Sequence, residues 1–274
     1  MCALAVAVAL FDFGCSLSFD TGPLGDGGLG DAPQNDTGTP DDGSTSGNDS
    51  GGGKPDGGAP DTGTPAKPQP PQFIGKSTAS PSESNGFLVS KPAQALQGDL
   101  LLASIYVDDH DNVITAPGGW TFIDTHVLPT ACSGITTWAY HFYSNSDPSD
   151  YLFGIKDARD LEMIAIMAYR GVDSSRPIGQ HIVTEYKSTL LYGPVSLTTD
   201  QPNETLVMMS ANKAGTAWTP PSVMSPRVDT GVLGVFDEPR ANAGTTDPRT
   251  ATSTGSASDS CGAVELVGLH PAPL

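Results

Sequence analysis

The chain lacks clustered basic residues: 13 Lys and Arg stand against 31 Asp and Glu, for a net charge of −18. A phosphate backbone would be repelled by such a surface, which excludes nucleic acid as a partner. It also lacks any apolar run long enough to cross a bilayer as a helix; the stretch from Ala3 to Phe11 spans about half the length required. Catalytic signatures are missing too. There is no Gly-x-Ser-x-Gly elbow, no His-Glu-x-x-His, no phosphate-cradling loop with Lys and no Cys-x-x-Cys. No two of the five histidines, His110, His126, His141, His181 and His270, stand at metal-ligand spacing. A sustained helical period is absent as well.

What is present divides the 274 residues into three stretches, 1–19, 20–72 and 73–274. Residues 1–19 hold a short apolar run followed by Asp12-Phe13-Gly14-Cys15-Ser16. That is the form of an export signal, too short for a membrane span. A small residue before Cys resembles the bacterial lipoprotein lipobox, which makes Cys15 the expected lipidation site. Asp12, where lipoproteins usually carry Leu, and the missing basic start depart from that pattern. Plain secretion is the alternative. The expected address is therefore the outer membrane or the extracellular space, with membrane contact only through a lipid anchor.

Residues 20–72 contain nine Asp, no Glu and two Lys, with Leu24 and Leu29 as the only large apolar side chains. Such a segment buries too little apolar surface to offset its backbone entropy, so a disordered linker is expected. As a random coil it spans about 40 Å. Its Asp-Gly pairs are too irregularly spaced for a calcium loop.

Residues 73–274 alternate in short runs between turn residues, the signature of strands. The expected fold is an all-β, antiparallel, jelly-roll-like β-sandwich. Strands are expected at 100–107, 119–124, 135–144, 151–155 and 161–170, then at 195–199, 205–211, 226–236, 246–253 and 263–269. In 135–144, Trp138, Tyr140 and Phe142 fall on one face, with His141 and Tyr143 on the other. The two halves echo each other: Leu101-Leu102-Ala103-Ser104 is similar to Val207-Met208-Met209-Ser210, 106 residues on. Likewise Thr115-Ala116-Pro117-Gly118-Gly119-Trp120 is similar to Thr219-Pro220-Pro221-Ser222-Val223-Met224, 104 residues on. Cys132 and Cys261 read either as one disulfide or as two buried thiols.

Gly98-Asp99-Leu100-Leu101-Leu102-Ala103, Pro117-Gly118-Gly119-Trp120-Thr121 and Ala168-Tyr169-Arg170-Gly171-Val172, in that order, resemble a group of bacterial secreted and phage-tail-associated β-sandwich modules. The resemblance implies a sandwich fold and a cell-surface setting, and transfers no functional residue.

Two clusters are candidates for function. Asp108-Asp109-His110-Asp111-Asn112 lies in a loop after a strong strand. Asp108, Asp109, Asp111 and Asn112 could hold a hard cation such as Ca²⁺, or simply form a solvated acidic turn. A hydrolase pairing Asp109 with Asp111 is the enzymatic alternative. The aromatics Trp120, Trp138, Trp218, Tyr140 and Tyr143 could form a sugar-stacking platform or fill the core. Trp120 is expected in the core. Trp218, beside Thr219-Pro220-Pro221, is the ring expected to be exposed, and Trp218, Tyr143 and Asp108 are the candidate ligand contacts. The composite expectation is a tethered, non-catalytic binding or adhesion module for a glycan or a surface protein. A carbohydrate-active hydrolase or a structural envelope component are the alternatives.

Overall fold

The computed structural model describes residues 67–274 apart from 82–85, 131 and 157–160. The signal segment, Cys15 and all of the linker before Lys67 lie outside the described residues. Among the described residues the chain forms strands and no helix. The first half contains β1 (Gln72–Ala79), β2 (Gly86–Ser90), β3 (Leu100–Val107), β4 (Thr121–Val127), β5 (Ile135–Phe142), β6 (Asp150–Gly154) and β7 (Met163–Arg170). The second contains β8 (Ile178–Lys187), β9 (Leu191–Val195), β10 (Thr198–Thr199), β11 (Glu204–Asn212), β12 (Gly215–Thr219) and β13 (Ser225–Asp229). It continues with β14 (Leu233–Arg240), β15 (Gly244–Thr245), β16 (Arg249–Gly255) and β17 (Cys261–Leu269).

The sandwich read from the sequence is present, and its jelly-roll wrap occurs once in each half. In the first half β1 pairs with β7, β2 with β6 and β3 with β5, all antiparallel. In the second, β8 pairs with β17, β9 with β16 and β11 with β14, also antiparallel. The two five-stranded sheets accordingly have one strand order, β1-β7-β3-β5-β4 and β8-β17-β11-β14-β13. Small details repeat with the topology. Gly98 and Asn203, each just before the central strand of its sheet, both take positive φ, 89° and 63°; Gly and Asn are the residues that tolerate this region best. The Trp120 amide donates to Pro117 O, and the Met224 amide to Pro221 O. Matching bulges interrupt β4 at Phe122/Asp124 and β13 at Pro226/Val228.

The repeat offset at the central strands is 105 residues, not 106. Side chains alternate in facing along a strand, so related positions must differ by a register that preserves facing. Leu102 and Val207 both enter the core between the large sheets, whereas Leu101 and Leu206 point to the opposite side. The sequence likeness was one residue out of phase because Leu, Val and Met are interchangeable to the eye on a strand buried on both faces. The expected strand 226–236 is a hairpin, β13 and β14, turned at Gly231 with φ +82°. The expected strand 195–199 splits into β9 and β10. Residues 163–170 form strand β7.

Three cores hold four layers together. The inner faces of the two large sheets meet through Leu102, Tyr106, Trp138, Met167, Val207 and Val235, among others. The small sheet β2-β6 packs Phe87, Val89, Tyr151 and Phe153 on the outer face of the first large sheet. The sheet β12-β16-β9 packs Tyr192, Trp218 and Ala251 on the outer face of the second. Every residue of β3, β11 and β17 is buried. This explains the apolar runs Leu100–Val107, Leu206–Met209 and Leu266–Leu269 within them, as expected for strands covered on both faces.

Cys132, in the loop between β4 and β5, is disulfide-bonded to Cys261 at the start of β17. The bridge therefore ties the first half to the second across 129 residues. Loop-closure entropy for that length gives about 5 kcal/mol of stabilisation. We expect reduction, or the C132A/C261A pair, to remove about 3–5 kcal/mol, read as a lower urea midpoint. An unchanged midpoint would show that the bridge adds nothing to what packing supplies.

Candidate functional site

The acidic loop after β3 is held by its own side chains. The Asp109 carboxylate accepts the Asp111 amide at 3.1 Å, and the Asn112 amide donates to Asp109 O at 3.2 Å. Asn112 is buried, and its Oδ1 accepts amides from Val113 at 2.9 Å and Lys156 at 2.7 Å, stapling the loop to the segment after β6. Asp108 turns towards the second half, 3.7 Å from Lys213 Nζ. The Tyr106 hydroxyl donates to it at 3.4 Å. Burial, then the Asp108 charge, raise the Tyr106 phenol far above its ordinary value, so it stays a donor. The four expected ligands thus face different partners. Asp109, His110 and Asp111 bring one ligand-type atom each within 4.8 Å of one another.

The aromatic reading needs correction at Trp218. The ring is 7% exposed, stacked edge-on to Tyr192 at 5.1 Å. Gly234 lies directly beneath it, and a Cβ there would meet the indole at 2.7 Å. The prolines that suggested a loop follow the strand β12, which carries Trp218 into the outer core. Trp120 and Trp138 are also buried, at 9% and 0%. Trp120 contacts Tyr151 and Phe153 edge-on, and His141 packs against it. Tyr143 is half-buried, with the Lys91 ammonium 4.7 Å over its ring. His141 is fixed between Gly119 O at 2.9 Å and Asp147 Oδ2 at 2.6 Å. Partial burial opposes charge on Asp147, but the Ser144 amide and the His141 imidazole outweigh it and hold the carboxyl below its ordinary range.

Two polar seams line the junction of the large sheets. At one, Arg227 bonds Asp237 at 2.7 Å and lies over the Phe73 ring at 4.6 Å. The Tyr169 hydroxyl donates to the same carboxylate at 3.1 Å. A recess of about 400 Å³ opens there, lined in part by Pro71, Phe73, Thr205 and Pro239. At the other seam His126 meets Glu185 at 2.7 Å, and His181 lies 3.2 Å from buried Glu265 and 3.7 Å from Asp124.

A third arrangement has no counterpart in the sequence reading. In the first half Asp99, just before β3, forms a two-pronged ion pair with Arg170 at the end of β7, both contacts 2.9 Å. The related positions in the second half are Glu204 and His270, 3.6 Å apart and both fully buried. Asp200 joins them, its Oδ1 2.8 Å from His270 Nε2. Glu204 Oε1 accepts the amides of Asp200 and Gln201, each at 3.0 Å, while no donor reaches Oε2. Burial pushes the Glu204 carboxyl up. Burial also works against charge on Asp200, but its contacts with Glu204, His270 and Arg176 prevail and hold its carboxyl low. His270 and Glu204 stand 66 residues apart in sequence, so no local spacing announces them; only the repeat aligns them with Asp99 and Arg170.

No family model, curated protein or solved structure matches the chain.

With Trp218 in the core, Trp218→Ala should cost about 3–5 kcal/mol. Chemical denaturation will show it as a lower midpoint. Undiminished stability would mean that the ring is not packed as described.

Proposed function

We propose that the chain is an exported, surface-tethered, non-catalytic binding module whose ligand is another protein's surface. The observation that carries this is an apolar pair on the outer face of the β2-β6 sheet. Leu88 and Leu152 are direct cross-strand partners, 59% and 56% exposed, while their neighbours Phe87, Val89, Tyr151 and Phe153 point inwards. An exposed apolar pair on a sheet backed by a rigid core is suited to docking against a protein. Burial of all three tryptophans weighs against a sugar-stacking platform, since indole faces are the usual floor for pyranose rings. The disulfide supports an oxidising, exported setting. The Asp-Gly-Pro-Thr-rich stretch before the sandwich supplies a spacer that would hold it clear of an anchoring membrane.

The test uses the full chain immobilised against envelope-protein extracts and a glycan array. The L88D/L152D variant, with circular dichroism unchanged, should lose protein capture by at least about tenfold, the loss of roughly 1.4 kcal/mol. Capture that survives both substitutions, or a glycan signal in its place, would overturn the reading. Self-assembly of the purified chain abolished by the same pair would instead point to an envelope lattice.

A further inference from the structure

The second half replaces the carboxylate–guanidinium pair of the first with groups that can ligate a metal. Arg170 is always charged and balances Asp99 by itself. The imidazole of His270 at the related position is a potential ligand, and a second carboxylate, Asp200, is added beside it. We propose that Asp200, Glu204 and His270 form a binding site for one divalent transition-metal ion of the zinc class.

Four observations converge on it. First, the ligand atoms lie within 4.8 Å of one another, close enough to share one ion. Second, Glu204 is fully buried and no donor reaches its Oε2. A buried carboxylate oxygen with no hydrogen-bond donor among the described residues is costly unless something positive meets it. Third, two glycines let those atoms approach the neighbouring strands, where a side chain would collide with them. A Cβ on Gly179 would sit 2.8 Å from His270 Nε2 and 3.2 Å from Glu204 Oε2. A Cβ on Gly268 would meet Glu204 Oε2 at 2.4 Å. The related residues in the first half are Ile74 and Ala168, which have side chains. Fourth, the outer partners are those a ligating histidine needs. His270 Nδ1 lies 2.8 Å from Arg176 O, so Nδ1–H donates there, and Nε2 faces the carboxylates, 2.8 Å from Asp200 Oδ1, where a metal ion would take the place of the proton between them. Arg176 bonds Asp200 Oδ2 from the solvent side, which leaves Oδ1 turned to His270.

One imidazole nitrogen with two carboxylates suits zinc and its neighbours. Calcium and magnesium prefer all-oxygen sets of six or more. Asp200, 31% exposed, forms the open side through which an ion would enter.

The experiment is calorimetric titration of chelator-treated full chain with ZnCl₂, and separately with CaCl₂. One Zn²⁺ per chain is expected, bound at least about tenfold more weakly in D200N and in E204Q. D200N changes a rim residue, and its fold is checked by circular dichroism. E204Q is isosteric and can be checked by circular dichroism. D111N, in the separate Asp109–His110–Asp111 cluster, should leave stoichiometry and affinity unchanged. No zinc uptake would overturn the proposal, and would mean that a proton alone settles Glu204 against Asp200. Equal binding in D200N and E204Q, loss of binding in D111N, or a preference for Ca²⁺ would overturn it as well.

Discussion

The fold depends on the contact between the inner faces of the two large sheets. Each large sheet is covered on its outer side by a small one and on its inner side by the other half. Removing either half would expose Leu102, Met167 and Trp138, or Val207, Met209 and Val235, to water. A buried aliphatic side chain contributes about 1.5–3 kcal/mol, so a dozen such residues outweigh the disulfide several times over. The bridge between Cys132 and Cys261 and the Ser104–Met209 contact cross the same junction. They refine an association that apolar area already enforces.

Duplication also orders the polar chemistry. Each half must end its first-to-last strand pair against the start of its central strand, and each places an acid there, Asp99 or Glu204. In the first half an always-charged guanidinium answers the acid, so the group is complete. In the second half an imidazole and an extra carboxylate stand there instead, with two glycines against the acid. The two halves differ in these side chains but share the backbone features of the framework, a positive-φ residue and a bulged edge strand.

Much of the architecture was legible in the sequence. Leu100 to Val107 reads as a doubly covered strand because every position is apolar or small, and β3 is buried throughout. The alternation around Trp138 gave the facing of β5 correctly, with Trp138, Tyr140 and Phe142 on the inner core. The half-to-half echo was visible, but its phase was not: on a strand buried on both faces the hydrophobic pattern has no period to fix register. The prolines beside Trp218 signal a loop, whereas the bulged strand β12 carries the ring inwards before the chain turns. The loop after β3 shows why a cluster of ligand-type residues is weak evidence. Asp109 and Asn112 cap backbone amides, and Asp108 reaches Lys213. The triad of Asp200, Glu204 and His270 is not legible in the sequence because His270 reaches the local Asp200–Glu204 pair only when the last strand closes on the central one.

Native-state hydrogen exchange tests the shared core most directly. If the two halves stand or fall together, the amides of β3 and β11 will exchange through one global opening, with the same free energy and the same dependence on denaturant. Exchange of one central strand at markedly lower free energy, while the other stays protected, would show two independent sandwiches and contradict the account.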